Sequence, residues 1–435
     1  MDRIEIGIAG IVVALLLIGL RVPVGVVLGL VSFVGIASIT SMKAAWGILT
    51  AIPYSFISNW SLSAVPMFLL MGYIASQVGL TRGLFASMRM FIGGIPGGLA
   101  SATVVASALF ASASGSSVAT AAAFSRIAVP EMLRSGYRAS LATGAVAASG
   151  TLGSLIPPSV LMILYGIFTG TSIGALFVGG LIPGILSAAI YIAMITIRSW
   201  ADPTLAPVVK ESFSREDRIA ALKDTWPLPV LIVGILGGIF AGVFSPTEAG
   251  AIGAGLAILI ALFRRSLSMP ALSRAIIETA EGTSTVFIIA IGASMFSVFM
   301  GLSTLPNALS SALLPHVDNI YVLIALISVL FIVLGMFVES ISLMLLTLPV
   351  IQPILTGMNI DMVWFGIIVI KLLEIGLITP PVGLNVYVMK SSLGDQVSLT
   401  QMFKGAFWFI LMDIVTLALL VEFPSITLFL PKLMQ

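Results

Sequence analysis

The sequence predicts an all-α polytopic membrane protein built from two inverted repeats of about five spans each. The first observation is composition: of 435 residues, 59% are hydrophobic and only 9% are charged, which is too apolar for a soluble domain. The second is a proline-containing motif that occurs once in each half of the chain. The third is a pair of apolar arms in each half, with a small polar tip between them.

The repeated motif is a break inside a membrane helix. It reads GSLIPP from Gly153 to Pro158 and GLITPP from Gly376 to Pro381, so the two copies lie 223 positions apart. Two successive prolines leave backbone carbonyls and amides without intrahelical partners. Because lipid cannot satisfy these groups, such a break is tolerated only where it is buried in protein or lines a polar cavity. Matched breaks in two halves therefore indicate the binding site of a transporter.

The spacing of 223 also relates residues outside the motif. It connects three further pairs of identical residues: Pro23 and Pro246, Ser117 and Ser340, and Pro130 and Pro353. Since proline makes up about one residue in twenty, these matches at one fixed spacing are unlikely to arise by chance. The chain is therefore predicted to be duplicated, with a first repeat at 1–197, a polar cytoplasmic connector at 198–226 and a second repeat at 227–435.

Each repeat contains apolar spans, a re-entrant hairpin and a broken helix. The spans expected in the first repeat are 4–21, 23–41, 61–80 and 173–197, with a hairpin at 97–132 and a broken helix at 139–168. Those of the second are 228–243, 247–263, 283–302 and 405–423, with a hairpin at 320–357 and a broken helix at 362–389. The hairpin arms of the first repeat, about fifteen residues each, are too short to cross a bilayer. The Trp-flanked stretch 46–60 is expected to lie in the membrane interface.

Basic residues set the predicted orientation, because cytoplasmic loops are enriched in Lys and Arg. Four arginines flank the first hairpin, at Arg82, Arg89, Arg134 and Arg138, whereas residues 302–320 before the second hairpin contain no Lys or Arg. The hairpins are therefore expected to enter from opposite faces. Five spans per copy, an odd number, would place the second copy upside down relative to the first.

Oxygen-bearing residues gather at the hairpin tips and the helix breaks. The first set of candidate cation ligands is Ser114, Ser116, Ser117, Thr120, Gly150, Gly153 and Pro157, and the second is Gly335, Glu339, Ser340, Gly376 and Thr379. Hydroxyl and carbonyl oxygens without nitrogen or sulfur suit a hard cation such as Na⁺. The candidate substrate ligands are Ser116, Ser154, Ser159, Asn385 and Arg126. The alternative is that the small residues only allow close helix packing in lipid.

Ionisable side chains within the apolar segments are costly and are expected to have partners. Lys371 and Glu374 lie three apart on one helix face, so their charges can neutralise each other. Glu339 has no charged neighbour in sequence and is expected to meet a cation. Asp413 has no assigned role. Arg126 is expected either to meet an anionic substrate or to extend toward the cytoplasm, and the sequence does not decide between these two.

Four long motifs make the chain resemble the large membrane subunit of the tripartite ATP-independent periplasmic (TRAP) transporters. They are FASASGSSVATAAA from Phe110, GTLGSLIPPS from Gly150, SPTEA from Ser245 and EIGLITPPVGLN from Glu374. The resemblance implies Na⁺-driven uptake of organic anions across the bacterial inner membrane by an elevator mechanism. It also implies two partners, a small four-helix membrane subunit and a soluble periplasmic binding protein. The sequence departs from the family at Thr120 and at Glu339, where many members carry Asp.

Two other functions are weighed against this one. A stand-alone Na⁺/dicarboxylate symporter would share the same hairpin plan without the partners. An intramembrane hydrolase would need a nucleophile with a base, or paired aspartates; the only histidine, His316, lies in a loop, and no acidic pair has catalytic spacing. The net charge of +2 gives no reason to expect nucleic acid, and the absence of cysteine excludes disulfides and thiolate metal sites.

Overall fold

A computed structural model describes residues 2–208, 213–313, 315 and 319–434, apart from the side chains of residues 80–82. His316, the histidine weighed as a catalytic base, lies outside the described residues. Within these ranges the regular structure is helical, with no strand. The predicted all-α class is confirmed.

The helices of the first half run from the N-terminus to the connector. They are α1 (Arg3–Gly19), α2 (Val24–Ile39), α3 (Met42–Ile57), α4 (Ala64–Gln77), α5 (Leu80–Ile92), α6 (Gly98–Ser114), α7 (Ser117–Arg134), α8 (Ala139–Leu155), α9 (Val160–Thr169) and α10 (Ile173–Ala201). A short 3₁₀ turn, Trp60–Ser63, leads into α4. The amphipathic helix α5 is not among the elements expected from hydropathy.

The helices of the second half begin within the connector. They are α11 (Arg215–Thr225), α12 (Pro227–Phe240), α13 (Pro246–Phe263), α14 (Met269–Ser303), α15 (Leu305–Leu313), α16 (Ile320–Gly335), α17 (Ser340–Gly357), α18 (Met362–Ile378), α19 (Leu384–Leu393), α20 (Leu399–Glu422) and α21 (Ser425–Leu433). In the predicted connector, α11 packs against α5, where the Ser87 hydroxyl donates to the Ala221 carbonyl over 2.9 Å.

The spacing of 223 residues also relates the helix ends. Added to the bounds of α7 and α8, it gives the bounds of α17 and α18 without any shift. Both double prolines follow the end of the first half-helix, because a proline ring disfavours helical geometry in the residue before it. The Pro157–Pro158 and Pro380–Pro381 peptide bonds are both cis. The duplication is therefore visible in the helix ends, while the inverted orientation of the two copies stays a prediction.

The two copies differ between their second span and their hairpin. In the first copy α3 and the Trp60–Gln77 segment meet at 58°, whereas the second copy has one continuous helix of 35 residues, α14. The helix that contains the predicted span at 283–302 therefore begins earlier than that span, at Met269. The sequence did not indicate this earlier start because Glu278 and Glu281 interrupt the apolar pattern in the first part of α14. In the structure the side-chain amide of Gln77 donates a hydrogen bond to the Glu278 carboxylate over 3.1 Å.

The first halves of the two broken helices lie inside the core of the molecule along almost their whole length. Among the described residues, five helices are long and apolar enough to cross a membrane, or up to eight if each bent pair is one span. Side chains are buried along α8 from Leu141 to Leu155 and along α18 from Trp364 to Ile378. The arms α6 and α7 pack against α8, and α16 and α17 pack against α18. Each hairpin tip is thereby placed beside a break.

Candidate substrate and cation sites

The first hairpin tip is closed by its own hydroxyl groups. Helix α6 ends at Ser114, Gly115 adopts the left-handed conformation with φ of 63°, and α7 begins at Ser117. The Ser116 hydroxyl caps α7 by accepting the Ala119 N–H over 3.2 Å. The Thr120 hydroxyl donates to the Ser116 carbonyl over 2.9 Å and lies 3.1 Å from the Ser114 hydroxyl. The Thr120 hydroxyl therefore contacts the residues on both sides of Gly115.

The first tip is joined directly to the first break. The hydroxyl oxygens of Ser117 and Ser154 are 2.9 Å apart and share a hydrogen bond. A Cβ added to Gly150 would lie 3.1 Å from the Ser117 carbonyl oxygen, and one added to Gly153 would lie 2.4 Å from the Ala111 side chain. A Cβ at Gly153 would not fit without a shift of its neighbours, and one at Gly150 would be tight, so these small residues allow the tip and the break to approach closely.

The first break leaves carbonyl oxygens without their usual helical donors. In a continuous helix residue 157 would donate to Gly153 and residue 158 to Ser154, but Pro157 and Pro158 carry no N–H. In the second motif Pro380 likewise cannot donate to the Gly376 carbonyl oxygen, but that oxygen accepts the Thr379 N–H over 3.2 Å. Carbonyl oxygens beside hydroxyl groups are the ligands that hard cations prefer, and the carbonyl end of a half-helix carries matching negative partial charge. The carbonyl and hydroxyl oxygens at the tips and breaks are therefore suitable ligands for Na⁺.

The second tip carries a carboxylate in place of the serine cap. Helix α16 ends at Gly335, and Glu339 caps α17, its carboxylate accepting the backbone N–H and the hydroxyl of Ser342, each over 3.2 Å. The Glu339 side chain lies between the two hairpins and remains open to the cavity there. Gly335 and Gly376 pack against each other, since a Cβ added to Gly376 would lie 2.8 Å from the Gly335 Cα. The second tip and break therefore meet as the first pair do.

A cavity of about 260 Å³ lies between the two tips. Five of the residues singled out from the sequence line it: Ser116, Ser117, Ser154, Glu339 and Ser340. The opposite wall comes from α4 and α14, through Tyr73, Gly282 and Thr285. The described lining residues include no Lys, Arg or His. An anion in this cavity would be held by hydroxyl groups, by the amides at the start of α7 and by bound cations.

The other predicted substrate ligands, Ser159, Asn385 and Arg126, do not line this cavity, although Val160 and Leu384, the neighbours of Ser159 and Asn385, do. Ser159 is buried, and its hydroxyl has no hydrogen-bond partner among the described residues. Asn385 is buried as well, and its amide donates to the Ala147 carbonyl over 3.3 Å, joining α19 to α8. The Thr379 hydroxyl, predicted as a cation ligand, donates to the Ile375 carbonyl over 2.5 Å. Arg126 is exposed on α7 and does not line the cavity.

The α4 and α14 wall is the part of the cavity that the sequence reasoning missed. The one signal available was a run of small and hydroxyl-bearing residues in an apolar region, Gly282-Thr-Ser-Thr285. Tyr73 carries no such signal, because a single tyrosine in a span is ordinary. Its hydroxyl would be 3.2 Å from a Cβ added to Gly282, which shows how closely α4 and α14 approach each other at the cavity.

The Ser117 and Ser154 hydroxyl pair gives a direct test of this geometry. We expect Ser117→Ala and Ser154→Ala each to weaken uptake severalfold, and the double variant to be little weaker than either single variant. The reason is that the two hydroxyls act through one shared hydrogen bond, worth about 1 kcal/mol. A double-mutant cycle checks this result: uptake is measured for the unmodified chain, the two single variants and the double variant. Fully additive losses would contradict a direct contact between tip and break.

Comparison with known proteins identifies the family. Residues 11–426 match the family model described as the tripartite ATP-independent periplasmic transporter, DctM component. The sialic acid TRAP transporter large permease protein SiaM of Vibrio cholerae is 34% identical over 378 residues, 87% of either chain. The C4-dicarboxylate TRAP transporter large permease protein DctM of Pseudomonas aeruginosa is 34% identical over 375 residues, 86% of this chain and 87% of the relative.

A solved structure shares the fold. The YdaH transporter of Alcanivorax borkumensis superposes with a TM-score of 0.63, covering 89% of this chain and 90% of its own, at 16% identity. The relatives are transport permeases, not enzymes. Together with the apolar helices, they place this protein in the inner membrane as a multi-pass chain. The chain belongs to the DctM component family, the large permease subunits of tripartite ATP-independent periplasmic transporters.

Proposed function

We propose that this chain carries out Na⁺-coupled uptake of a small organic anion, a carboxylate, across the inner membrane. The observation that carries the proposal is the cavity in which the hydroxyls of Ser116, Ser117 and Ser154 face Glu339 and Ser340. With hydroxyls, helix amides and one carboxylate, but no basic side chain among its described lining residues, the cavity would hold an anion stably only with cations bound nearby. The two candidate cation sites, one at each pair of hairpin tip and helix break, supply the positive charge that the anion needs.

The cavity favours a small substrate. Its volume of about 260 Å³ lies just below the usual range for ligand pockets, which begins at about 300 Å³. The N-terminus of α7 carries partial positive charge and, with the Ser116, Ser117 and Ser154 hydroxyls, suits the carboxylate group of the substrate. Glu339 on the facing side suits hydrogen-bond donors of the substrate, because a second carboxylate there would meet a like charge.

Transport follows an elevator mechanism in this proposal. The hairpins and broken helices, α6 to α9 and α16 to α19, form a transport domain that moves against a wall containing α4 and α14. The cavity supports this division, because one side consists of tips and breaks and the other of residues from α4 and α14. Movement of one side along the other would expose the cavity to either face of the membrane.

The chain works with two partners in this proposal: a small four-helix membrane subunit and a soluble periplasmic binding protein that delivers the substrate. The names of the relatives support this, since each relative is the large permease protein of a TRAP transporter and is similar to this chain over most of its length. A stand-alone Na⁺/dicarboxylate symporter is the alternative that the test must exclude.

Reconstitution in proteoliposomes tests the proposal. A thermal-shift screen of the binding protein against a panel of monocarboxylates, dicarboxylates and sugar acids first identifies the anion. We expect uptake of that anion only when both membrane subunits, the binding protein and an inward Na⁺ gradient are present. Uptake that is the same with K⁺ in place of Na⁺ would reject the coupling. Strong uptake by the isolated chain would favour the stand-alone symporter.

A further inference from the structure

A separate cavity of about 680 Å³ lies at the ends of three helices, away from the hairpin tips. It is lined by the first turn of α8, by the N-terminal part of α20 and by Arg198 in the last turn of α10. Ser140 of α8 and Gly405 of α20 meet beside it, where a Cβ added to Gly405 would overlap the Ser140 carbonyl oxygen. The cavity therefore borders a crossing at which two helix backbones are in contact.

This cavity has two cationic side chains, and its described lining residues include no Asp or Glu. The two cations are Arg198 and Lys404, and neither forms a direct ion pair with a described residue. Asp202, the next acidic residue after Arg198 in the chain, pairs instead with Arg138 at 3.2 Å. The Arg198 guanidinium carbon lies 4.1 Å from the centroid of the Trp408 ring, a cation–π contact that orients it. Positive charge thus accumulates at the cavity without a carboxylate in direct contact.

Neutral hydrogen-bond donors line the same cavity. The hydroxyl groups of Ser140 and Thr400 make no hydrogen bond to a described residue. The N-termini of α8 and α20 add partial positive charge, because the first backbone N–H groups of a helix have no intrahelical partner. A guanidinium, an ammonium, hydroxyls and helix N-termini are the groups that bind phosphate oxygens in proteins. The chemistry of the cavity is therefore that of a phosphate site.

An exposed apolar stripe continues from the cavity along α20. Phe407 and Trp408 line the cavity and are exposed, and Ile414 and Val415, seven positions further on, are exposed as well. Residues seven positions apart lie on one face of a helix, and α20 is long and apolar enough to cross a membrane. Tryptophan favours the headgroup level of a bilayer. Cations beside a tryptophan, followed by an apolar stripe, match the order of headgroup and acyl chain in a phospholipid.

We propose that this cavity binds an anionic phospholipid, with the phosphate between Arg198 and Lys404 and an acyl chain along the exposed face of α20. A free phosphate ion would use the same cations and hydroxyls but would leave the apolar stripe uncovered. Arg198 begins the connector that is predicted to be cytoplasmic, and anionic lipids of the cytoplasmic leaflet attract basic residues near the membrane surface. Bound lipid would hold the ends of α8, α10 and α20 together. The proposal goes beyond the transport function and does not depend on Na⁺ coupling.

Lipid binding to the purified full-length chain tests this site without a transport assay. The chain is stripped of lipid in a neutral detergent and then incubated with phosphatidylglycerol, with zwitterionic phosphatidylethanolamine or with inorganic phosphate. We expect phosphatidylglycerol alone to raise the melting temperature and to remain bound in native mass spectra. Equal binding of phosphatidylethanolamine would mean ordinary contact with surrounding lipid, and equal stabilisation by inorganic phosphate would mean an anion site without a lipid. Either result overturns the proposal.

Charge-removing variants test which side chains hold the headgroup. We expect Lys404→Gln and Arg198→Gln each to weaken phosphatidylglycerol binding about fivefold, the change that about 1 kcal/mol produces, and the double variant to weaken it about 25-fold. Lys404→Arg keeps the charge and is expected to have a smaller effect than Lys404→Gln. The matched control is Lys223→Gln, because Lys223 is exposed on α11, lies outside the cavity lining and forms no ion pair with a described residue.

The melting temperature without lipid separates weaker binding from misfolding. Lys404 is exposed, so Lys404→Gln is expected to keep the lipid-free melting temperature of the unmodified chain and to lose only the stabilisation by phosphatidylglycerol. If Lys404→Gln and the double variant bind phosphatidylglycerol as tightly as Lys223→Gln does, these two cations do not hold a headgroup and the proposal is overturned.

Discussion

Replacing Glu339 with glutamine is expected to raise the Na⁺ concentration for half-maximal uptake by at least about tenfold. Interactions with a charged group contribute about 1.5–3 kcal/mol, and each 1.4 kcal/mol changes an equilibrium by about tenfold. Glu339 is the carboxylate at the second tip, and it lines the cavity. Glutamine keeps an oxygen that can accept the Ser342 N–H, so the cap of α17 is retained while the charge is lost. Uptake against Na⁺ concentration in proteoliposomes with all partners measures the effect.

Two further substitutions serve as controls for Glu339→Gln. Glu339→Asp keeps the charge and is expected to change the Na⁺ requirement far less. Thr120→Ala removes one neutral hydroxyl at the first tip and should also have the smaller effect. A Glu339→Gln protein with unchanged Na⁺ dependence would mean that the carboxylate only caps α17, and that the second cation site is misplaced.

Adding a single methyl group at Gly376 is expected to reduce uptake at least tenfold and to lower the melting temperature. An alanine Cβ there would lie 2.8 Å from the Gly335 Cα and 3.0 Å from the Gly335 carbonyl oxygen. The backbone segments at residues 335 and 376 would therefore have to move apart. Overpacking of this kind destabilises proteins by about 1–3 kcal/mol. The same movement would separate α16 from α18 and displace the second tip from its break.

The matched control for Gly376→Ala is Gly255→Ala in α13. A Cβ at Gly255 would meet no atom within 4 Å, and alanine favours helix more than glycine does. That variant is expected to keep full uptake and an unchanged or higher melting temperature in detergent. If Gly376→Ala behaved like Gly255→Ala, the close approach of the second tip and break would not be required for transport.

The breaks, the tips and the duplication are predictable from the sequence because each follows from local chemistry. Proline lacks an N–H wherever it stands, so the two Pro-Pro pairs are enough to mark the ends of α8 and α18. Small and hydroxyl-bearing residues mark the first tip in the same way, and a fixed spacing in the chain needs no tertiary information. The carboxylate of Glu339 is conspicuous because a charge in an apolar segment is costly whatever surrounds it.

Which helices contact one another was decided only by the tertiary structure. The sequence pairs Lys371 with Glu374, its neighbour on one helix face, but the closer partner of Lys371 is Asp413, on α20. Sequence reasoning did not place Tyr73 on the cavity wall, and it left open whether Arg126 meets the substrate. Membrane helices are apolar on nearly every face, so hydrophobic periodicity does not indicate which face turns inward. Those contacts depend on how each helix is rotated and packed against its neighbours, which these residues do not specify locally.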